Sequence, residues 1–115
     1  MTQPDRSLPL TQAASGDLDG ILDWTTTRSG GLQADRYREQ LFNAFAALLR
    51  EPFGFGTKAR DDILPGLRSA HIRIGGGRGR HFIFYRIAQD GGLVVIRLLH
   101  DSMDLARHLP PMGEP

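Results

Sequence analysis

The sequence predicts an α+β domain in which an antiparallel four-stranded sheet is covered on one face by an N-terminal helix hairpin, in the order β-α-α-β-β-β with a short closing helix. Three observations carry that prediction. Residues 15–50 hold two stretches of helical apolar spacing separated by Gly30 and Gly31. Residues 68–99 hold three strand-like runs joined by glycine-rich connectors. The whole chain is 115 residues, the length of a single domain with one core. That core is expected within about residues 7–109, and residues 110–115, with Pro110, Pro111 and Gly113, are expected to form a loose tail.

Taken in order, Ser7 to Ala14 alternates Leu8 and Leu10 with small or polar neighbours and reads as an edge strand. Ser15, Asp17 and Asp19 then place a capping hydroxyl and two carboxylates where a helix N-terminus favours them. Leu18, Ile21, Leu22 and Thr25 follow at i, i+3, i+4 and i+7, so the first helix runs to about Arg28. Gly30 and Gly31 stop it, because glycine accepts the left-handed backbone needed past a helix end. From Gln33 to Arg50 the set Ala34, Tyr37, Leu41, Phe45 and Leu48 repeats at helical spacing, widened by Phe42 and Leu49, until Pro52 forbids further helix. Two helices so closely joined should pack as an antiparallel hairpin. Phe53 to Pro65 reads as an ordered loop.

Three strands follow. Arg68 to Ile74 alternates, with Ala70, Ile72 and Ile74 on one face and His71 and Arg73 on the other. Arg80 to Ile87 is apolar on both faces and so belongs at the centre of the sheet, and Leu93 to Leu99 is similar. Gly75 to Gly79 and Gln89 to Gly92 read as hairpin turns, the second with an Asp90–Gly91 pair suited to two positive φ angles. Ser102 to Leu109 caps and forms the short closing helix.

Composition narrows the chemistry. Apolar residues are 40% and charged residues 23%, which is ordinary for a folded soluble domain. The chain has no cysteine, which excludes disulfides, thiolate metal sites and a cysteine nucleophile. The longest apolar run, Ala44 to Leu49, is far short of a bilayer span, and the first fifteen residues carry no apolar signal core, so a cytoplasmic protein with no membrane association is expected. The formal net charge is only +1, yet residues 58–100 hold eight basic residues against Asp61, Asp62 and Asp90, while both flanking regions are net acidic. Thirteen of the fourteen basic residues are arginine, whose planar fork suits carboxylates and phosphates, so the central stretch is expected to meet an anionic partner.

The stretches LTQAASGDLDGILDW, QADRYREQLFNAFAALLREPFGFG, LPGLRSAHI, RHFIFYRI and VIRLLHDSMDLARHL, in that order across about Leu10 to Leu109, resemble the ParE toxins of the RelE/ParE superfamily of bacterial toxin–antitoxin modules. The last is the most telling. An apolar strand ending in Leu99 and His100, then Met103 and Asp104, then His108 and Leu109, is similar to the ParE signature more than to the RelE one. The resemblance implies a RelE/ParE-like fold and a non-enzymatic toxin that inhibits DNA gyrase, traps the DNA-cleaved state and blocks replication. It also implies a ParD-like antitoxin wrapping the toxin surface in a hetero-oligomer. Two features depart from the pattern: the GGGRGR loop is longer and richer in glycine, and the tail beyond Leu109 is unmatched.

Under that reading the target contact falls on the last strand and the segment after it, at Arg97, His100, Asp101, Met103, Asp104 and His108. The closing strand is then expected to be open to a macromolecular ligand. Arg97 lies between Ile96 and Leu98 in an apolar run and needs a carboxylate or an ordered partner to offset desolvation. Antitoxin contact falls on Trp24, Phe42 and Leu49, which sit off the main stripes and line a groove for an amphipathic helix or else belong to the core, and on Arg78, Arg80 and Arg97 for an acidic tail.

The alternative reading is a RelE-like ribosome-dependent messenger-RNA endoribonuclease, for which Arg60, Arg73, Tyr85, Arg97 and His100 supply the residue types. Against it, Tyr85 shares a strand face with Ile83 and Ile87 and reads as a core tyrosine with a satisfied hydroxyl. His100 is either a base oriented by Asp101 or a structural histidine closing the strand on the face of Ile96 and Leu98. Arg73 and Arg86 read as solvated, and Arg68 as a structural arginine or a functional one. A third reading is a non-toxic, antitoxin-binding relic of the fold. No cofactor is expected. His100, Asp104 and His108 are spaced by four, but the helix begins after His100, so no metal site is expected either. Gly75 to Arg80 lacks the lysine and hydroxyl of a phosphate-binding loop. Direct nucleic-acid contact is expected only through the target complex.

Overall fold

The computed structural model describes residues 10–54, 56–74 and 79–100. Its elements are α1 (Gln12–Ser29), α2 (Gly31–Arg50), β1 (Thr57–Ala59), β2 (Arg68–Ile74), β3 (Gly79–Ile87) and β4 (Leu93–His100). The strands form one antiparallel sheet in the order β1-β2-β3-β4, so the α+β class, the helix hairpin and the four-stranded sheet are as the sequence predicts.

The fourth strand of the described sheet is not in the predicted segment Ser7 to Ala14, of which residues 7–9 lie outside the described residues. Leu10 makes a single parallel bridge to Val95, and the chain turns into helix at Gln12. Thr11 is the cap: its hydroxyl accepts the Ala14 N–H at 3.1 Å, satisfying a donor that the first turn leaves orphaned, and the alanines that follow favour helix over strand. Ser15, Asp17 and Asp19 therefore lie inside α1 rather than at its start. The missing strand is β1, three residues within the predicted loop, held as the outer partner of β2. The closing helix at 102–109, the tail at 110–115 and the turn at 75–78 lie outside the described residues.

One residue joins the helices. Gly30 donates its N–H to Thr26 O and accepts from Ala34 N–H, and its φ of 92° with ψ of 166° is a backbone state open to glycine almost alone. Gly31, expected to help stop α1, is already the first residue of α2. The apolar stripe of α2 is the one read from its spacing: Ala34, Tyr37, Leu41, Phe45 and Leu48 are all buried.

The sheet is covered on both faces. Leu41, Phe45 and Leu48 of α2 and Ala14 and Leu18 of α1 pack on Ala70, Ile83, Tyr85, Leu93, Val95 and Leu98. On the opposite face Phe84, Leu99 and Leu67 are buried with Ile63, Leu64, Phe82 and Ile96 around them, so the loop after β1 roofs part of the sheet. That division explains why β3 is apolar on both sides. The β3–β4 turn has one positive φ, at Gly91, and not two; Asp90 instead accepts the Gly92 N–H through its side chain.

The ladder between β3 and β4 is interrupted once. Phe84 pairs with Arg97 but Tyr85 pairs with Val95, leaving Ile96 as the extra residue of a bulge. Ile96 consequently joins the cluster around Phe84, away from Leu98, so His100 does not share a face with it as strict alternation predicts.

Candidate functional site

The closing strand was expected to lie open, and its outer side from Val95 to Leu98 is instead occupied by the protein's own chain. Thr11 N–H donates to Val95 O at 3.0 Å and the Thr11 hydroxyl to Ile96 O at 2.7 Å. Six residues further along, inside α1, Asp17 accepts Arg97 Nε at 2.7 Å, Arg97 Nη2 at 2.9 Å and the Leu98 N–H at 3.0 Å. β4 is the edge of the sheet, so the Leu98 N–H has no further strand to pair with, and one carboxylate answers it and the Arg97 fork together.

Arg97 thus has the carboxylate its apolar neighbours demand. Hydrogen bonding to Asp17 pushes its guanidinium further above its already high pKa, against an opposing pull from burial. With its fork engaged inside the fold, Arg97 orders the end of β4, which is a different role from the direct contact expected of it. Asp17 was missed because its position suited a helix-start carboxylate equally well, and its partner is 80 residues away.

Where β4 ends, a buried polar chain begins. His81 and His100 are opposite each other across β3 and β4, their rings edge-on with centroids 5.2 Å apart. On its other side His81 Nδ1 meets the Tyr37 hydroxyl of α2 at 2.8 Å. Burial pushes the Tyr37 phenol up to about 12 from its usual 10.0. His100 is therefore a histidine packed against the closing strand pair; the sequence singled it out but not Tyr37 or His81, whose helical and strand spacing marked them only as core and as an unremarkable alternate position.

The ribonuclease set is not assembled. Tyr85 is fully buried on the helix side of the sheet and its hydroxyl donates to Pro52 O at 2.5 Å. Arg60 lies on the other side, its guanidinium 5.6 Å from the ring centre of Phe82 and 5.7 Å from that of Phe84. Arg68 is structural: Nη2 donates to Thr57 Oγ1 at 2.8 Å, holding β1, and its guanidinium lies 4.7 Å over Phe53. Arg86 is exposed, as read from its position, and Arg73 is opposite Arg80 in the ladder.

The residues assigned to an antitoxin groove separate. Phe42 is half-buried against Phe45 and the core. Trp24 is 62% exposed near the end of α1, its ring covered by Arg28 at 4.9 Å, and Leu32, at the start of α2, is 70% exposed. Leu49, at 41%, and Phe53, at 68%, lie at the other end of α2. With a rise of about 1.5 Å per residue, the two exposed pairs are some 20 Å or more apart along the hairpin, so they are two apolar ends and not one groove. Arg78, Asp101, Met103, Asp104 and His108 lie outside the described residues. Among those described, no group of three or more histidines and acids is arranged to hold a metal, and no helix is long and apolar enough to cross a membrane.

Comparison with known proteins places this architecture. Residues 8–105 match the family model described as the ParE toxin of the type II toxin–antitoxin system, parDE. Toxin ParE1 of Mycobacterium tuberculosis is 36% identical over 100 residues, covering 87% of this chain and 94% of that protein. Toxin ParE1 of Caulobacter vibrioides is 32% identical, with 87% and 94% covered, and Toxin ParE of Escherichia coli is 30% identical, with 87% and 89% covered. A solved structure described as a chromosomal ParDE TA system from P. aeruginosa shares the fold, with a TM-score of 0.63 at 21% identity over 82% of this chain and 94% of that one. A two-helix hairpin clasped to a four-stranded antiparallel sheet, matched over nearly all its length by these toxins, puts the chain in the ParE toxin family of type II toxin–antitoxin systems.

Proposed function

We propose that this toxin poisons DNA gyrase, holding the enzyme in its DNA-cleaved state, and that a ParD-like antitoxin neutralises it in the cytoplasm. Family membership over residues 8–105 carries the reading. The burial of Tyr85, with its hydroxyl spent on Pro52 O, supports a toxin that acts by contact and counts against the ribonuclease alternative. The neutralising contact in this reading is an apolar helix of the antitoxin at the hairpin turn, where Trp24 and Leu32 are both exposed.

Purified toxin is added to gyrase and supercoiled plasmid, and in parallel to a cell-free translation reaction. Linear plasmid should accumulate while the message stays intact. Cut message with intact plasmid overturns the gyrase reading in favour of an endoribonuclease, and no effect on either by folded protein favours the relic. For the partner, Trp24→Ser should weaken antitoxin binding about tenfold by calorimetry, the cost of losing part of one exposed aromatic anchor; unchanged affinity moves the contact elsewhere.

A further inference from the structure

On the side of the sheet that faces the helices, the cross-strand rows are apolar wherever they meet the core; Ala70, Ile83 and Leu98 make one of them. The row at the far end from the β3–β4 turn breaks that pattern. It runs from Ile72 through His81 to His100 and so brings two imidazoles together. Among the described residues the buried polar side chains are Thr25, Ser69 and His81. Thr25 returns its hydroxyl to Ile21 O within its own helix. His81, only 7% exposed, instead has a polar ring on either side, Tyr37 from α2 and His100 from β4.

Burying an imidazole costs free energy unless its nitrogens are used. The Tyr37 oxygen meets Nδ1 of His81 at 2.8 Å. In the tautomer that donates Nδ1–H to that oxygen, the lone pair of His81 is on Nε2. A metal-binding histidine ordinarily has its other ring N–H held by an oxygen in this way, which fixes the tautomer and the orientation of the ring. The spacing agrees. With metal–nitrogen bonds of about 2.0–2.1 Å at a tetrahedral angle, two imidazoles on one ion hold their ring centres roughly 5 Å apart. Those of His81 and His100 are 5.2 Å apart, in planes 84° from each other. The ladder itself sets that distance, since the two residues are direct partners, and His100 is half-buried, so an ion reaches the pair from its side. Imidazole ligands suit zinc, copper and nickel, whereas magnesium and calcium take oxygen ligands. Two protein ligands leave the other coordination positions to water, the pattern of an open, exchangeable site.

We propose that His81 and His100 bind a divalent transition ion of the zinc, copper and nickel class, with Tyr37 positioning His81 and water completing the coordination. Bound there, the ion fastens β4 to β3 at the last described pair of their ladder. The proposal does not rest on the gyrase reading. It reverses the expectation that the chain holds no metal, at a pair to which the spacing of His100, Asp104 and His108 does not point.

The test titrates the untagged full-length chain with zinc chloride at neutral pH by isothermal titration calorimetry. One ion should bind per chain, and magnesium chloride should give no binding heat. His100→Gln, with its circular dichroism unchanged, should bind about tenfold more weakly or worse, and Tyr37→Phe, which keeps both imidazoles, should lose about tenfold through the freed ring. His71→Gln removes an exposed histidine that lies against Phe82 on the opposite face, and should bind as the parent does. A measurement on the parent alone covers the case in which a variant fails to fold: substoichiometric copper should broaden the ring-proton resonances of His81 and His100 before those of His71 and His108. The proposal is overturned if zinc gives no saturable binding, if His100→Gln or Tyr37→Phe binds as tightly as the parent, if His71→Gln loses as much as His100→Gln, or if copper broadens His71 or His108 first.

Discussion

Asp17 shows how much one side chain can settle. Its two oxygens take three hydrogen bonds, two from Arg97 and one from the Leu98 N–H, and so fasten α1 to the bulged strand. Replacing it with alanine leaves a half-buried guanidinium and a backbone donor without their acceptor. Asp17→Ala should cost about 2–3 kcal/mol in urea denaturation; a loss under 0.5 kcal/mol, about what an ordinary surface substitution costs, would mean that water replaces the carboxylate freely. Arg97's need for an acid was legible from its apolar neighbours, but the identity of that acid was not, because nothing local distinguishes Asp17 from Asp19. Tyr37 gives a second test. Its phenol titrates near 10.0 in an unfolded chain and at about 12 when folded. Between those values the folded state holds a proton that the unfolded state has released, so stability is fully present below pH 10 and falls as pH rises toward 12. Tyr37→Phe should flatten that alkaline loss relative to the parent; parallel curves would show that another group sets it.

At the scale of elements, helical periodicity was the secure signal and strand length the weak one. The α2 stripe was readable because five apolar residues at regular spacing have one sensible arrangement. Residues 12–14 are helix where the alternation predicts strand, because so short a pattern does not outweigh a capping threonine and two alanines, and β1 was not legible because three residues carry no periodicity at all. What makes β1 a strand is distant: Arg68 reaches across to Thr57. The glycines divide by the same logic. Gly30 occupies a backbone state in which a side chain is strained, so Gly30→Ala should destabilise by about 1–3 kcal/mol. Gly16 and Gly20 lie inside α1, where an added methyl meets nothing within 4 Å, so alanine at each should stabilise by roughly 0.5–1 kcal/mol. Denaturant midpoints for the three variants check the contrast, and a neutral Gly30→Ala would mean that the hairpin junction relaxes at no cost.

Across the whole molecule, layer architecture and charge bias were both present in the sequence, while the placement of charge was not. The basic excess of residues 58–100 is visible by counting, but only the register decides that Lys58 and Arg86 share a face while Arg68 and Arg97 are committed to the fold. The candidate contact residues divided for the same reason: Trp24 and Leu49 look alike along the chain and emerge at opposite ends of the hairpin.

The covered margin of β4 also governs how the molecule behaves in a crowded solution. A bare strand margin is a template on which further chains can stack, and residues 10–11 with Asp17 have closed that route on one side. Among the described residues the other outer margin is Thr57–Ala59, three residues long and carrying Lys58, too brief to seed a fibre. For a protein that has to act as a free copy, the closed margin removes one route by which two copies would pair edge to edge.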